Sequence, residues 1–229
     1  MKVAVLFSGG KDSTYAAHVA AQRGWDVSSL ITVVPRDPES MMFHVPNLHL
    51  TPLLAEAIGL PLVMERAEPG EEGELEALAR AIRRSGADAI VVGAIASDYQ
   101  HSRVNRVGHD LGVRVFAPLW RRDPRGLLRD YLDAGMDIRF VAVAAEGLTA
   151  EWLGRPLDAA AAENLVRLHR EHGVHPCGEG GEFETLVVDA PWFQKSLDIR
   201  KAAPHWSGSS GVWRVEEVRL VPQPDFPKE

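Results

Sequence analysis

The sequence predicts an α/β protein: a parallel sheet flanked by helices, followed by a smaller C-terminal α+β domain. Short continuous apolar runs alternate with helix-like segments as far as Phe116, a pattern typical of parallel strands that are buried on both faces. The stretch "LWRRDPRG" at 119–126 is charged and contains Pro and Gly, which favours a boundary or hinge. We therefore expect an N-terminal domain at 1–122 and a C-terminal domain at 123–229.

Each element of this prediction follows from local pattern. In the first domain the predicted strands are 3–7, 27–34, 61–65, 89–92 and 113–116. The predicted helices are 13–23, 51–58, 73–84 and 97–111. The third helix is the most regular, because its apolar residues repeat with a helical period on one face (Leu75, Leu78, Ala79 and Ile82). In the second domain we expect helices at 127–134 and 158–172, and strands at 140–144, 185–188, 196–200 and 212–221.

Composition excludes several classes of protein. The 229 residues are 45% hydrophobic and 25% charged, as in ordinary soluble domains. Since no apolar run approaches the roughly 18 to 20 residues of a membrane span, we expect no membrane association, and we see no secretory signal. A net charge of −7 argues against broad nucleic-acid binding. The lone Cys177 fits a reducing cytoplasm.

The segment between the first strand and the first helix has the composition of an anion site. It reads Ser8-Gly9-Gly10-Lys11-Asp12-Ser13, and its two glycines allow the chain to reverse direction. Backbone N–H groups and the positive end of a helix dipole meet at such a turn and favour phosphate. Lys11 adds a point charge. Asp12 cannot bind phosphate directly, so a Mg²⁺ contact or a helix-capping role suits it better.

This hexapeptide is neither a Walker A motif nor a dinucleotide fingerprint. It resembles the PP-loop of the N-type ATP pyrophosphatases. That resemblance implies the HUP-like fold of the adenine nucleotide alpha hydrolases. It also implies cleavage of ATP between the α- and β-phosphates, with Ser8 to Ser13 holding the phosphates. The alternative reading of the segment is a helix-capping turn without chemistry.

A second informative stretch lies near the other end of the chain, "CGEGGEFETLVVDAP" at 177–191. It places Glu179, Glu182 and Glu184 around Gly180-Gly181. In a strand that starts near Glu182, the carboxylates of Glu182 and Glu184 share a face. Such a cluster could hold Mg²⁺, bind an amine or act as a general base. A solvated acidic turn explains the spacing equally well.

Taken with the PP-loop, the string "GEGGEFETLVVDAP" resembles the signature of the diphthine–ammonia ligase family. Three further stretches agree: "MFHVPNLHLTPLLAEAIGLPLV" at 42–63, "VVGAIASDYQHSRV" at 91–104 and "EWLGRPLD" at 151–158. The resemblance implies an ATP-dependent ligase that activates the carboxylate of diphthine, a modified histidine of translation elongation factor 2, as an acyl-adenylate. Ammonia then displaces AMP and gives diphthamide.

The resemblance also implies roles for individual residues. ATP would be bound by Ser8, Gly9, Gly10, Lys11, Asp12, Ser13, His44, Gly93, Ser97, Tyr99 and Gln100, the last four because they follow the fourth strand at the carboxyl edge of the sheet. Asp12 could contact Mg²⁺. The diphthine carboxylate or ammonia would meet Glu179, Gly180, Gly181, Glu182, Glu184 and Thr185. The residues expected to be catalytic are Lys11, Asp12, Glu182 and Glu184.

Other functions stay open at this point. Another PP-loop amidase could adenylate a small carboxylic acid, and a nucleotide-binding sensor would explain the first motif but not the second.

Sulfur transfer between two cysteines cannot run within a chain that has one. A chain of this length leaves no room for a glutaminase domain, so ammonia must arrive free or from a partner. We expect a homodimer only because small enzymes often pair.

Four histidine and cysteine residues invite a metal interpretation, which their spacing does not favour: His169, His172, His175 and Cys177. They lack paired C-x-x-C spacing. Cys177 has no identifiable partner as a nucleophile. Arg155 stays a minor candidate, because it belongs to the 151–158 string.

Overall fold

The computed structural model describes residues 1–36 and 46–223. The predicted nucleoside segment with His44 lies outside these residues. The chain divides into two compact units. The first comprises Met1–Ser8, Asp12–Ala55 and Leu60–Arg121, and the second comprises Gly9–Lys11, Glu56–Gly59 and Arg122–Glu229. The predicted phosphate loop is the segment Ser8–Ser13. Its middle, Gly9–Lys11, is part of the second unit.

The first unit contains a parallel sheet of five strands in the order β3-β2-β1-β4-β5. The strands are β1 (Lys2–Leu6), β2 (Asp26–Val34), β3 (Leu62–Arg66), β4 (Ala89–Val91) and β5 (Arg114–Phe116). The helices between them are α1 (Lys11–Gln22), α2 (Thr51–Ile58), α3 (Glu71–Ser85) and α4 (Asp98–Leu111). In the centre of the sheet, Val5 of β1 pairs with Leu30 of β2 and with Val91 of β4.

Burial of apolar residues on both faces explains why these strands are continuous apolar runs. On one face, Ala4, Ile31 and Ile90 pack with the apolar stripe of α3 and with Val104 and Val107 of α4. Val3 and Val5, which alternate with Ala4, are also fully buried. Because crossovers between parallel strands are right-handed, α1 and α2 are expected on the face opposite α3 and α4. The strand order reverses between β1 and β4, so the loops after these two strands border the same crevice.

The second unit contains an antiparallel sheet in the order β7-β6-β9-β8. Its strands are β6 (Asp137–Val143), β7 (Phe183–Asp189), β8 (Lys195–Ser207) and β9 (Ser210–Pro222), and its helices are α5 (Pro124–Asp133) and α6 (Ala159–His172). The Phe140 ring meets Trp152 edge-on at 4.9 Å and Phe183 at 5.2 Å between centroids. These aromatic contacts fix the start of β7.

The predicted fold class is confirmed: a parallel sheet with flanking helices, and a separate α+β unit. Several boundaries differ from the prediction, and α5 and β6 each begin three residues earlier than predicted. α1 begins at Lys11 rather than Ser13, so Lys11 and Asp12 form its first turn. β7 begins at Phe183. The final hairpin is longer than the predicted runs at 196–200 and 212–221. Its outer residues, 204–210, are exposed and lack an apolar alternation, so local pattern did not indicate that the strands reach this far.

Among the described residues, no helix combines the length and the hydropathy that a membrane span needs.

Candidate functional site

The predicted phosphate loop begins in the first unit with a pair of serines. Ser13 Oγ accepts the Ser8 N–H at 3.3 Å and lies 3.1 Å from Ser8 Oγ. Gly9, between them, has φ +81°, in the left-handed region that favours glycine. The backbone conformation at this position therefore explains why the turn has a glycine, as the sequence analysis expected.

Gly93, in the loop after β4, lies against the first turn of α1. A Cβ at Gly93 would come within 2.7 Å of the Asp12 carbonyl carbon and 2.8 Å of the Ser13 nitrogen. Real Cβ atoms do not approach backbone so closely, and the backbone of a helix cannot move aside at low cost. The structure thus brings together two of the predicted ATP-binding segments, as expected at a reversal of strand order.

The other predicted residues after β4 have structural partners. Ser97 caps α4, and its Oγ accepts the Gln100 N–H at 3.3 Å. The Tyr99 hydroxyl donates to Glu71 Oε2 at 2.9 Å, while the Arg103 guanidinium lies 3.3 Å from the Tyr99 ring centroid and donates to the same Glu71 oxygen. The hydrogen bonds from Arg103 and Tyr99 lower the pKa of Glu71. Burial and the bond to Glu71 raise the pKa of Tyr99.

Within the second unit, the middle of the phosphate loop, residues 9–11, contacts the second informative stretch at 177–191, which we call the Glu-rich motif. The Lys11 N–H donates to Thr185 Oγ1 at 3.2 Å, and the Val187 N–H donates to the Gly9 carbonyl at 2.9 Å. The two stretches that the sequence singled out are 174 positions apart at the first of these contacts. They meet through hydrogen bonds rather than through solvent.

The side chain of Lys11 is also held by this motif. Its Nζ donates to the Cys177 carbonyl at 2.6 Å and lies 5.1 Å from the centroid of the Phe183 ring. Only 3% of Lys11 is exposed. A lysine ammonium can donate to a carbonyl and lie near an aromatic ring at the same time, since the carbonyl oxygen and the face of the ring both carry partial negative charge.

The loop that carries Cys177 is stabilised by its own side chains. The Glu182 carboxylate accepts the His175 N–H at 2.8 Å through Oε1 and the Gly180 N–H at 2.7 Å through Oε2. Glu182 therefore precedes β7 and turns back on the loop. The expectation that Glu182 and Glu184 share the face of one strand is therefore wrong. Glu182 lies in the bend before β7, where its carboxylate accepts these two backbone N–H groups.

His175 completes the loop from the other side. Its Nδ1 accepts the Cys177 N–H at 3.2 Å, which requires the imidazole to be neutral at that nitrogen. Burial lowers the pKa of His175, the carboxylates of Glu179 and Glu182 oppose that shift, and the charge of Lys11 adds to it. A neutral His175 and a charged Lys11 thus support each other.

Strand alternation separates the remaining residues of the motif. Phe183 and Thr185 are buried on the face that meets Lys11, whereas Glu184 lies between them and points to the other face of β7. Gly181 has φ +81°, as the turn before β7 requires. Sequence analysis missed His175, Phe183 and the Cys177 carbonyl as neighbours of Lys11. Phe183 and Cys177 lie within the Glu-rich motif and His175 lies two residues before it, which is the signal that could have suggested them.

The residues set aside as metal ligands have other contacts. Cys177 Sγ lies 3.5 Å from the Pro124 carbonyl, and His169 Nδ1 lies 3.0 Å from the Val174 carbonyl. Among residues 1–36 and 46–223, no three His, Cys, Asp or Glu side chains form a group that could hold a metal ion. Arg155 packs over the Trp152 ring at 4.9 Å.

A parallel α/β sheet with a Gly-rich loop after its first strand, at the reversal of strand order, is shared by several nucleotide-binding folds, and the Ser8–Ser13 sequence distinguishes the PP-loop class among them. Two family models match in succession, the diphthamide synthase N-terminal domain over residues 1–115 and the diphthamide synthase C-terminal domain over 123–221. The chain belongs to the diphthamide synthase family.

Curated relatives agree with this assignment. The diphthine–ammonia ligase of Schizosaccharomyces pombe is 36% identical over 238 residues, which cover 94% of this chain and 39% of that protein. The human diphthine–ammonia ligase is 34% identical over 222 residues, which cover 87% of this chain and 83% of the human one. This chain thus spans well under half of the S. pombe relative and most of the human one.

A solved structure, the predicted subunit of tRNA methyltransferase from Methanocaldococcus jannaschii, is a more distant likeness. It is 19% identical with a TM-score of 0.44, and the match covers 83% of this chain and 98% of that chain.

Proposed function

We propose that this protein is an ATP-dependent ligase that amidates diphthine on translation elongation factor 2 with ammonia, giving diphthamide. Membership of the diphthamide synthase family and the names of the curated relatives support the reaction. The structural observation that carries the proposal is the contact of Lys11 with Thr185 and Cys177. It joins the predicted phosphate loop to the motif predicted for the acyl group.

The residues around the loop fit the triphosphate of ATP. Ser8 and Ser13 offer hydroxyls, the first turn of α1 offers N–H groups, and Lys11 supplies a positive charge. Gly93 allows the loop after β4 to lie against the Asp12 backbone, where a Cβ would clash. We assign ATP binding to Ser8, Gly9, Gly10, Lys11, Asp12, Ser13, His44, Gly93, Ser97, Tyr99 and Gln100.

The Asp12 carboxylate would be enough for a Mg²⁺ site, because this ion is usually held by one or two protein carboxylates together with substrate phosphates. We assign that contact to Asp12. When bound, Mg²⁺ would neutralise charge on the phosphates.

For the acyl group and ammonia we propose the second motif, with Glu179, Gly180, Gly181, Glu182, Glu184 and Thr185 lining the site. Lys11, Asp12, Glu182 and Glu184 are the proposed catalytic residues. A carboxylate near bound ammonium could take up a proton and release the neutral nucleophile. Glu184 lies on the face of β7 opposite Thr185, which leaves its carboxylate on a different surface from the Lys11 contact.

The chemistry requires two steps. A diphthine carboxylate oxygen attacks the α-phosphorus of ATP, and the bond from that phosphorus to the oxygen bridging to the β-phosphate breaks, so pyrophosphate leaves. Ammonia then attacks the acyl carbon, the bond to the AMP oxygen breaks, and one proton is lost to give the amide. Activation is needed because a carboxylate oxygen is too poor a leaving group for ammonia to displace.

We place the two predicted domains at 1–122, for ATP, and 123–229, for the acyl substrate. Because the proposed substrate is a translation factor, we place the reaction in the cytoplasm. The absence of nucleic-acid partners and the homodimer stay predictions, and light scattering would measure the latter.

The test combines purified protein, ATP, Mg²⁺, ammonium chloride and elongation factor 2 that bears diphthine. Mass spectrometry of the modified-histidine peptide is expected to show the mass change of a carboxylate converted to an amide, with one AMP formed per peptide. A reaction without ammonium is the control. An unchanged peptide without AMP would refute this acceptor, and ADP in place of AMP would refute the PP-loop assignment itself.

A further inference from the structure

Both the main chain and the side-chain ammonium of Lys11 are bound by β7 and the loop that precedes it. Thr185 binds its main-chain N–H, and the Cys177 carbonyl and Phe183 ring bind its ammonium. Phe183 and Thr185 are two positions apart on β7, so strand alternation places them side by side on one face. Both are almost fully buried, at 2% and 3% exposure.

We infer that Thr185 is a positioning residue for the phosphate loop: its hydroxyl fixes the Lys11 backbone so that the loop is preorganised for the triphosphate. This inference rests on the proposed function and changes one assignment within it. Thr185 would act on ATP affinity through Lys11 rather than by contacting the diphthine carboxylate.

Three observations favour positioning over direct substrate contact. The Thr185 hydroxyl oxygen already accepts a hydrogen bond, and the side chain is buried beneath the loop. The neighbouring backbone repeats the interaction, since the Val187 N–H binds the Gly9 carbonyl. Glu184, which offers the charge that an ammonium substrate needs, faces the other way.

Preorganisation has a measurable consequence. A loop already held in its binding conformation loses less conformational entropy when a ligand binds, so removing the restraint weakens affinity. A single hydrogen bond of this kind contributes about fivefold to tenfold in an equilibrium constant. The effect should appear in nucleotide affinity and not in the affinity for ammonia.

The experiment measures the Kd of α,β-methylene-ATP with Mg²⁺ by titration calorimetry. Thr185→Val keeps the shape but removes the acceptor, and about fivefold weaker binding is expected. Thr185→Ser restores the acceptor and should recover most of the affinity. Thr51→Val is the matched control, because Thr51 is also buried and its hydroxyl donates to the Leu48 carbonyl at 2.9 Å, in the turn that precedes α2. Its affinity should equal that of the wild type.

The ligase reaction adds a second readout. Thr185→Val should raise the KM for ATP and leave the KM for ammonia and for the protein substrate unchanged. If Thr185→Val does not fold, Thr185→Ala carries the test, since it also removes the hydroxyl that accepts the Lys11 N–H and should weaken analogue binding.

The outcomes separate the two proposals. Wild-type affinity in Thr185→Val, or a rise confined to the KM of the protein substrate, overturns the positioning role and leaves the ligase assignment standing. A wild-type protein that does not bind the analogue overturns the proposed function, and this inference with it.

Discussion

The Glu182 carboxylate binds the main-chain N–H of His175 at 2.8 Å, seven residues back along the chain. A second bond from the Gly180 N–H, at 2.7 Å, gives each carboxylate oxygen a backbone donor. The loop between them presents the Cys177 carbonyl to Lys11. A residue proposed to be catalytic therefore also shapes the loop that holds the phosphate-loop lysine.

Replacing Glu182 tests both roles. Glu182→Ala leaves two N–H groups without their acceptor, so the free energy of unfolding should fall by about 1–3 kcal/mol. If the carboxylate also serves as the base, turnover should fall at least about a hundredfold. Chemical denaturation and AMP release measure the two effects. The exposed Glu163→Ala in α6 is the control, and full turnover in Glu182→Ala would remove the catalytic assignment.

Gly93 is expected to be intolerant of any side chain. In Gly93→Ala the new methyl group meets backbone atoms of Asp12 and Ser13 at 2.7 to 2.8 Å, so the loop after β4 or the start of α1 must shift. Both stability and nucleotide affinity should drop. Gly126→Ala is a suitable control, because its Cβ would find only ordinary contact with Asp123 at 3.4 Å and alanine favours the helix. Equal melting temperatures for the two variants would contradict the prediction.

Local pattern was sufficient to predict most of the fold. Apolar runs of strand length gave β1 to β5, and the helical period of Leu75, Leu78 and Ile82 gave α3. The phosphate loop was recognisable because glycine, lysine and serine at fixed spacing report a local backbone requirement. These features depend on residues that are neighbours along the chain.

Contacts between distant residues were beyond that reasoning. Nothing in the sequence near Lys11 indicates that its N–H is bound by Thr185. The direction of the Glu182 side chain was also hidden, because a carboxylate that caps backbone N–H groups has the same spacing as one that faces a substrate. Both facts follow from packing of β7 beneath the loop, which only the structure shows.

Acidification should weaken the loop through His175. Burial lowers the pKa of His175 below its ordinary value of 6.5, so its imidazole takes up a proton in the unfolded chain before it does so in the folded one. The free energy of unfolding therefore falls as the pH drops below 6.5, until the pH has passed the folded pKa. Above 6.5 the residue adds no pH dependence.

His175→Asn isolates this contribution. An asparagine oxygen can accept an N–H two residues ahead, as Nδ1 of His175 does from Cys177, but it does not titrate. Melting temperatures of wild type and variant, compared between neutral and mildly acidic pH, should diverge as the pH falls, with the variant losing less. Parallel curves would show that His175 does not titrate in this way.

Arginine should not replace Lys11. The ammonium donates to one carbonyl and sits over one ring in a site where the residue is 3% exposed, and a planar guanidinium is larger and distributes its donors differently. Both Lys11→Met and Lys11→Arg should lose AMP formation. Lys195→Arg is the control, because Lys195 forms an exposed ion pair with Glu56 at 2.8 Å. Activity in Lys11→Arg would mean that charge alone suffices.

Cys177 distinguishes a main-chain role from a side-chain role at a single position. Lys11 binds its carbonyl, whereas its thiol is 1% exposed and points to the Pro124 carbonyl. Cys177→Ala retains the carbonyl, so turnover should match the wild type, while a small cavity lowers the free energy of unfolding by about 1 kcal/mol. AMP release, together with chemical denaturation, measures both. A folded Cys177→Ala protein without activity would contradict this prediction, because it would show that the thiol contributes to the reaction or holds the Cys177 carbonyl in place.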